Sequence, residues 1–148
     1  MRNLFDRAEE AFRKNAHILV NRSGVLDPKF PFLENTFEQA WDWTLDINYK
    51  GAFLCCREST NRLIKGGGGW IINITSSIVG SLRSGHTSYA VSNAVVDTMT
   101  KILTAYIAPY VNIVHFSLST IHLLLPVTDN NPHPHFKNTF DVTMVYEK

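Results

Sequence analysis

A chain of 148 residues has room for one domain with a buried core, and at 45% hydrophobic and 18% charged residues it is too apolar to be disordered. The net charge of +1 comes from scattered residues, which excludes the electrostatic footprint of a nucleic-acid binder or a membrane-surface protein. Two adjacent cysteines, Cys55 and Cys56, give no disulfide framework and read as core thiols of a reducing compartment.

In chain order, Leu4, Phe5, Ala8, Ala11 and Phe12 recur at helical spacing opposite Arg2, Asp6, Arg7, Glu9, Glu10 and Arg13, which predicts an amphipathic helix. His17 to Val20 is a short buried strand, and Asn21-Arg22-Ser23-Gly24 is the turn that leaves it. A loop follows, punctuated by Pro28 and Pro31. Thr36 with Gln39 has the form of a capping box, so a helix is expected there, burying Phe37, Ala40, Trp41 and Leu45. The helical pattern continues through Asn48, Cys55, Glu58 and Arg62 to Ile64. Gly66 to Gly69 end it. The run lacks the Lys-Ser/Thr of a phosphate-binding loop and is followed by strand residues, so it reads as a turn.

Ile71-Ile72-Asn73-Ile74 is a β-branched run that stops in hydroxyls at Thr75, Ser76 and Ser77, as a buried strand does at the rim of a sheet. Tyr89 then opens a helix carried by Ala94, Val95, Thr98, Met99, Ile102 and Leu103, with Asn93 one turn along the same face. The next expected strand is Asn112 to Phe116. Pro126 to His135 is turn-rich, and Thr139 to Lys148 fits either an edge strand or a loose tail. His133 and His135 in that turn-rich stretch read as solvated, and no metal site is expected. The order of helices and strands predicts half of a doubly wound α/β sheet.

The chemistry sits at the strand end and the helix start. A Ser hydroxyl at the one and a phenol at the other can meet over a single substrate atom, polarise a carbonyl oxygen and deliver a proton to it. A serine hydrolase is the poorer account, since no Gly-x-Ser-x-Gly elbow is present and His86 lies in a loop.

These residues resemble the active-site segment of the short-chain dehydrogenases/reductases, in which a Ser near Asn-Ile-Ser-Ser is followed thirteen residues later by the Tyr of Tyr-x-x-x-Lys. Counting back thirteen from Tyr89 gives Ser76, with Ser77 as its neighbour. Asn93 stands where the family has Lys. The turn Asn21 to Gly24 is similar to the family's Asn-Asn-Ala-Gly beside the nucleotide, matching at Asn21 and Gly24. Leu45 to Leu54 resembles the segment whose Asn takes part in the family's proton relay, which here is Asn48. From the residues alone Asn48 reads equally as a structural hydrogen bond in a bent helix, because a buried polar side chain needs partners. Gly24-Val25-Leu26-Asp27-Pro28-Lys29 and Gly66 to Ile74 are similar to the plant-type NADPH-dependent aldehyde reductase branch.

The resemblance implies a partial Rossmann-like fold: a parallel sheet with flanking helices, a partial family domain over 1–116 and a divergent tail over 117–148. No Gly-x-x-x-Gly-x-Gly occurs before Asn21, so the family's first strands and nucleotide turn are expected to be missing from the chain. It implies Ser76, Tyr89 and Asn48 as catalytic residues and Asn21, Gly24, Tyr89 and Asn93 as contacts of the cofactor. That cofactor is NADP(H) by the branch resembled, with NAD(H) also compatible. The family's cofactor-closing residues fall near Ser119 and Thr120, without its Pro-Gly.

Tyr89 would protonate a small-molecule carbonyl substrate while Ser76 hydrogen-bonds its oxygen. A free Tyr has a pKa of about 10, and one positive charge at about 5 Å in an effective dielectric of about 20 lowers it by roughly two units. Asn93 lacks that charge, and Lys101 is two helical turns further on. Reduced activity is therefore expected. The alternative is a non-catalytic family remnant that pairs, as a homo- or hetero-oligomer, through the helices around 37–65 and 89–106. With a charged start and no apolar run of spanning length, no membrane partner is expected and the location is cytoplasmic, a chloroplast being compatible.

Overall fold

The computed structural model describes residues 1–118 and the strand 142–145. The elements are α1 (Arg2–Phe12), β1 (Ile18–Asn21), a 3-10 turn (Leu33–Asn35), α2 (Glu38–Leu45), α3 (Gly51–Lys65), β2 (Trp70–Ser76), the single turn α4 (Ile78–Ser81), α5 (Thr87–Ile107), β3 (Asn112–Leu118) and β4 (Val142–Val145). The sheet order is β3-β2-β1-β4. Strands β1, β2 and β3 are parallel, as the alternation of helices and strands requires, and β4 closes the other edge of β1 in antiparallel register, Ile18 opposite Val145. Of the two expectations for the end of the chain, the edge strand is the one found. Ser119, Thr120, His133 and His135 lie outside the described residues.

The core forms where β1 and β2 face the helices. Leu19, Ile71 and Ile113 on the strands meet Phe5 of α1, Cys55, Cys56 and Leu63 of α3, and Ile107 and Val111 at the end of α5. Phe5, Leu19 and Ile71 are buried completely or nearly so, and each such side chain contributes about 1.5–3 kcal/mol. Phe5 is the one residue of α1 that reaches the core. Leu4 and Phe12, expected beside it, are exposed. The helix is held instead by charge: Arg62 of α3 bonds Asp6, Glu9 and Glu58 and lies over the Phe5 ring.

The expected capping box does not form. Thr36 donates its hydroxyl back to the Phe32 carbonyl at 3.2 Å, finishing the 3-10 turn, and α2 starts later with Phe37 as an N-cap that supplies no side chain. Phe37 points out at 69% exposure, and Ala40 and Thr44 are the buried residues of α2. The glycine run behaves as expected. Gly69 needs its positive φ of 155°, since a Cβ there would lie 2.3 Å from the His17 carbonyl oxygen that accepts the Trp70 N–H.

Helices α2 and α3 are one continuous rod interrupted at Asp46–Lys50 by a π-helical turn, which holds Asn48. Among the described residues no helix is long and apolar enough to cross a membrane.

Candidate active site at the carboxyl ends of the parallel strands

Strands β1 and β2 end side by side, and a cavity of about 530 Å³ opens beyond them, within the range of small-molecule sites. In an open parallel sheet this is where ligands bind, because backbone and side chains diverge there. Five elements line it: the end of β1 with its turn (Asn21 to Gly24), the π-turn (Asn48), the start of α3 (Ala52), the end of β2 (Ile74 to Ser76) and the first turns of α5 (Tyr89, Asn93). All six residues expected from the sequence (Asn21, Gly24, Asn48, Ser76, Tyr89 and Asn93) line this one cavity. Ser77 does not line it; it caps α4 instead.

The strand end fixes Ser76. It is 4% exposed, and its Oγ accepts the Ile78 N–H at 3.3 Å, which leaves the hydroxyl proton for a second partner. Tyr89 stands beside it on the cavity wall, where the Ser76 and Asn93 side chains both bear on its phenol. Burial pushes the phenol above its ordinary value of 10.0, against the downward pull of those two side chains, so Tyr89 is a neutral phenol at physiological pH.

Asn93 is 8% exposed and uses Nδ2 to bond the Tyr89 carbonyl one turn back, at 2.9 Å. It therefore braces the start of α5 as well as touching the phenol. It brings no charge.

Asn48 is fully committed. Its Oδ1 accepts the Val25 N–H at 2.7 Å, and its Nδ2 donates to the Val25 carbonyl and to Ser92 Oγ, both at 2.9 Å. Ser92 in turn donates to the Tyr89 carbonyl at 2.9 Å. The side chain clamps the turn after β1 to the start of α5, which is the structural reading open for it in the sequence. Gly24 leaves space between Asn48 and Tyr89: a Cβ at 24 would lie 3.7 Å from Asn48 Oδ1 and 3.9 Å from a Tyr89 ring carbon.

Beneath the cavity lies a network that spacing along the sequence does not reveal. Parallel register sets Asn21 beside Asn73. Asn21 Nδ2 donates to Asn73 Oδ1 at 2.8 Å and reaches Cys56 Sγ at 3.3 Å, while Asn73 Nδ2 donates to Thr100 Oγ1 at 2.8 Å. Two strands and two helices are tied by it. The signal was an Asn in the middle of a β-branched run, which is costly unless satisfied. Cys56 is part of this network, accepting from Asn21 and donating to Asn73 Oδ1, and burial raises its thiol from 9.0 to about 11.

The nicotinamide end of a dinucleotide fits these groups. The cavity volume suits it, Tyr89 and Asn93 offer polar contacts, and Asn21 Oδ1 is a buried acceptor with no partner in the protein.

The short chain dehydrogenase family model matches residues 1–122. A protein from Arabidopsis thaliana named as an NADPH-dependent aldehyde reductase-like protein, chloroplastic, is 52% identical over 103 residues, 70% of this chain and 38% of the relative. A short-chain type dehydrogenase/reductase from Picea abies is 49% identical over 100 residues, 68% of this chain and 36% of the relative. The chain thus spans somewhat over a third of the length of these relatives. The apo form of LigO from Sphingobium sp. strain SYK-6 superposes with a TM-score of 0.73 at 23% identity, over 78% of this chain and 43% of that one, a likeness of fold.

Proposed function

The chain belongs to the short-chain dehydrogenase family, and from that premise we propose that its cavity is the catalytic half-site for NADP(H)-dependent reduction of an aldehyde or ketone, with activity lowered by Asn93. The observation that carries this reading is the pair of hydroxyls: Tyr89 and Ser76 line the same cavity wall where two parallel strands end, close enough for Ser76 to act on the phenol. A carbonyl oxygen set between them would accept from both.

In this reading Ser76 orients the carbonyl oxygen and Tyr89 gives up its proton to it. Asn48 acts at one remove, by holding Val25 and Ser92 so that Tyr89 keeps its place. Asn21, Gly24, Tyr89 and Asn93 hold the nicotinamide–ribose end of the nucleotide. When bound, the nucleotide supplies the hydride. The NADPH-dependent designation of the Arabidopsis relative supports NADP(H) over NAD(H), and its chloroplastic designation adds the chloroplast to the cytoplasm as a location to test with a fluorescent fusion.

The test is NADPH oxidation with a panel of small aldehydes, on the natural chain and on Asn93→Lys. Turnover abolished by Tyr89→Phe and raised by Asn93→Lys is expected. Turnover indifferent to Tyr89→Phe would overturn the assignment.

A second reading is favoured by a different surface. An apolar groove of about 860 Å³ runs between α3 and α5, with Phe53, Ile64, Ile102 and Tyr106 all at least 40% exposed. Its lining carries one formal charge, Arg57. A surface so apolar and so little charged matches a second copy of itself, and pairing of two chains through it is the reading as an interaction partner. Sedimentation with Ile102→Asp tests it, with loss of a dimer expected.

A further inference from the structure

Helix α5 carries Tyr89 in its first turn, and no side chain caps that turn: His86 stands at the N-cap without a side-chain hydrogen bond. An uncapped first turn is loosely held, because its N–H groups have no partner within the helix. A phenol that must meet a substrate oxygen needs more, since a misplacement of about 1 Å costs on the order of 100-fold in rate. The hold comes from the side.

It runs through Ser92, which is 0% exposed. Its Oγ accepts from Asn48 Nδ2 in the π-turn at 2.9 Å and donates to the Tyr89 carbonyl at 2.9 Å. Asn48 is itself anchored on the N–H and the carbonyl of Val25. A line of hydrogen bonds thus joins the turn after β1, the π-turn and the stretch of backbone that bears the phenol. A serine that only bonds back to its own helix is ordinary. One that also receives a donor from another element ties the two together.

The Tyr89 carbonyl takes a second side-chain donor, Asn93 Nδ2 at 2.9 Å. The residue at the position of the family's lysine therefore braces the same atom as Ser92 does. A lysine at 93, extended toward the phenol, gives up that bond and leaves the carbonyl to Ser92.

We propose that Ser92 is a positioning residue for Tyr89: it passes the hold of Asn48 on to the Tyr89 backbone, with Asn93 as a second brace, so that the placing of the phenol comes to depend on Ser92 once residue 93 is a lysine. This rests on the reading of the cavity as the carbonyl-reduction site and deepens it. A charge at 93 helps only at a fixed distance. At an effective dielectric of about 20, a retreat of the phenol from about 5 to about 7 Å forfeits roughly 0.7 of the roughly two pK units that the charge supplies.

The test is an ultraviolet titration of tyrosinate in the Asn93→Lys chain, alone and combined with Ser92→Ala or Ser92→Thr, after a melt has shown each to be folded. Each curve is taken as the difference from the matching Tyr89→Phe chain, so it reads Tyr89 and needs no turnover. Arg22, the charged residue of the cavity lining, is the same throughout. Ser92→Ala is expected to raise the Tyr89 step by about half a pH unit or more, and Ser92→Thr, which keeps the hydroxyl, to leave it nearly in place. In NADPH oxidation, Ser92→Ala should lower kcat of the Asn93→Lys chain about tenfold or more with KM for the aldehyde little changed, and Ser92→Thr should recover most of that loss.

A Tyr89 step that Ser92→Ala leaves unmoved overturns the proposal, whether or not the chain turns over. So does a folded Ser92→Thr chain that shifts as far as Ser92→Ala. A step that moves as expected in a chain that oxidises NADPH with no aldehyde leaves Ser92 in its role and sinks the reduction reading.

Discussion

In the proposed reduction Tyr89 is the proton donor, and its environment sets it against ionisation. Burial raises the phenol, and only two neutral side chains, Ser76 and Asn93, oppose the rise. A lysine in place of Asn93 would add a charge worth about two pK units at about 5 Å in an effective dielectric of about 20, or up to roughly 100-fold in phenolate at neutral pH. Asn93→Lys is therefore expected to shift the pH–rate profile of carbonyl reduction toward lower pH; a profile that does not move would mean Tyr89 is not the titrating acid.

The two cysteines make a second prediction at this scale. Burial pushes Cys55 from 9.0 to about 12 and Cys56 from 9.0 to about 11. Both raised values favour the neutral thiol in the folded state, so the unfolded chain releases protons first as pH rises. Stability should be level through neutral pH and fall from about pH 9 through about 11–12, and native protein should resist iodoacetamide at pH 8. Rapid alkylation of either thiol without unfolding would contradict their burial. Ser76, Tyr89 and Asn93 were readable because thirteen- and four-residue spacings map directly onto a strand end and a helix face. The duty of Asn48 was not, because its partners Val25 and Ser92 lie 23 and 44 residues away in sequence.

The π-turn between α2 and α3 is the element on which the cavity depends. It places Asn48 inward, and the amide holds the Val25 N–H and carbonyl together with Ser92. Asn48→Ala would leave both Val25 groups without partners, at about 1–3 kcal/mol each. A loss of about 2–4 kcal/mol in denaturant unfolding is expected, and a change under about 0.5 kcal/mol would mean that Asn48 does not clamp the turn to α5.

Helix α1 is bound differently, through one arginine of α3 to two of its own carboxylates, Asp6 and Glu9, over a single buried ring. Replacing Arg62 with Met should cost about 2 kcal/mol, and limited proteolysis should then cut within residues 1–13. The amphipathic pattern of α1 was legible, yet it overstated the buried face, because pattern cannot distinguish a helix that packs on one Phe from one that packs on five residues. The capping box at Thr36 failed for a similar reason: the 3-10 turn competed for the same hydroxyl.

At the scale of the molecule, the parallel three-stranded arrangement followed from the alternation of strands and helices, since parallel neighbours need a crossover. What no local pattern could give was β4. Its pairing with β1 joins residues more than 120 positions apart, and its sequence fits an edge strand and a tail equally well. The Asn21–Asn73–Thr100 network was hidden likewise, being set by strand register rather than by spacing in the sequence.

Taken together, the carboxyl ends of β1 and β2 form a cavity that keeps the hydroxyl pair but lacks the lysine. In the proposed function this cavity still holds the nucleotide. The most direct measurement is a thermal melt of the purified chain, followed by its three tryptophans, with and without saturating NADPH. A ligand that binds only the folded state, at about 100 times its dissociation constant, adds about 2.7 kcal/mol, or roughly 5–10 °C for a chain of this size. That upward shift is the predicted result; a cooperative melt unmoved by NADPH would contradict it.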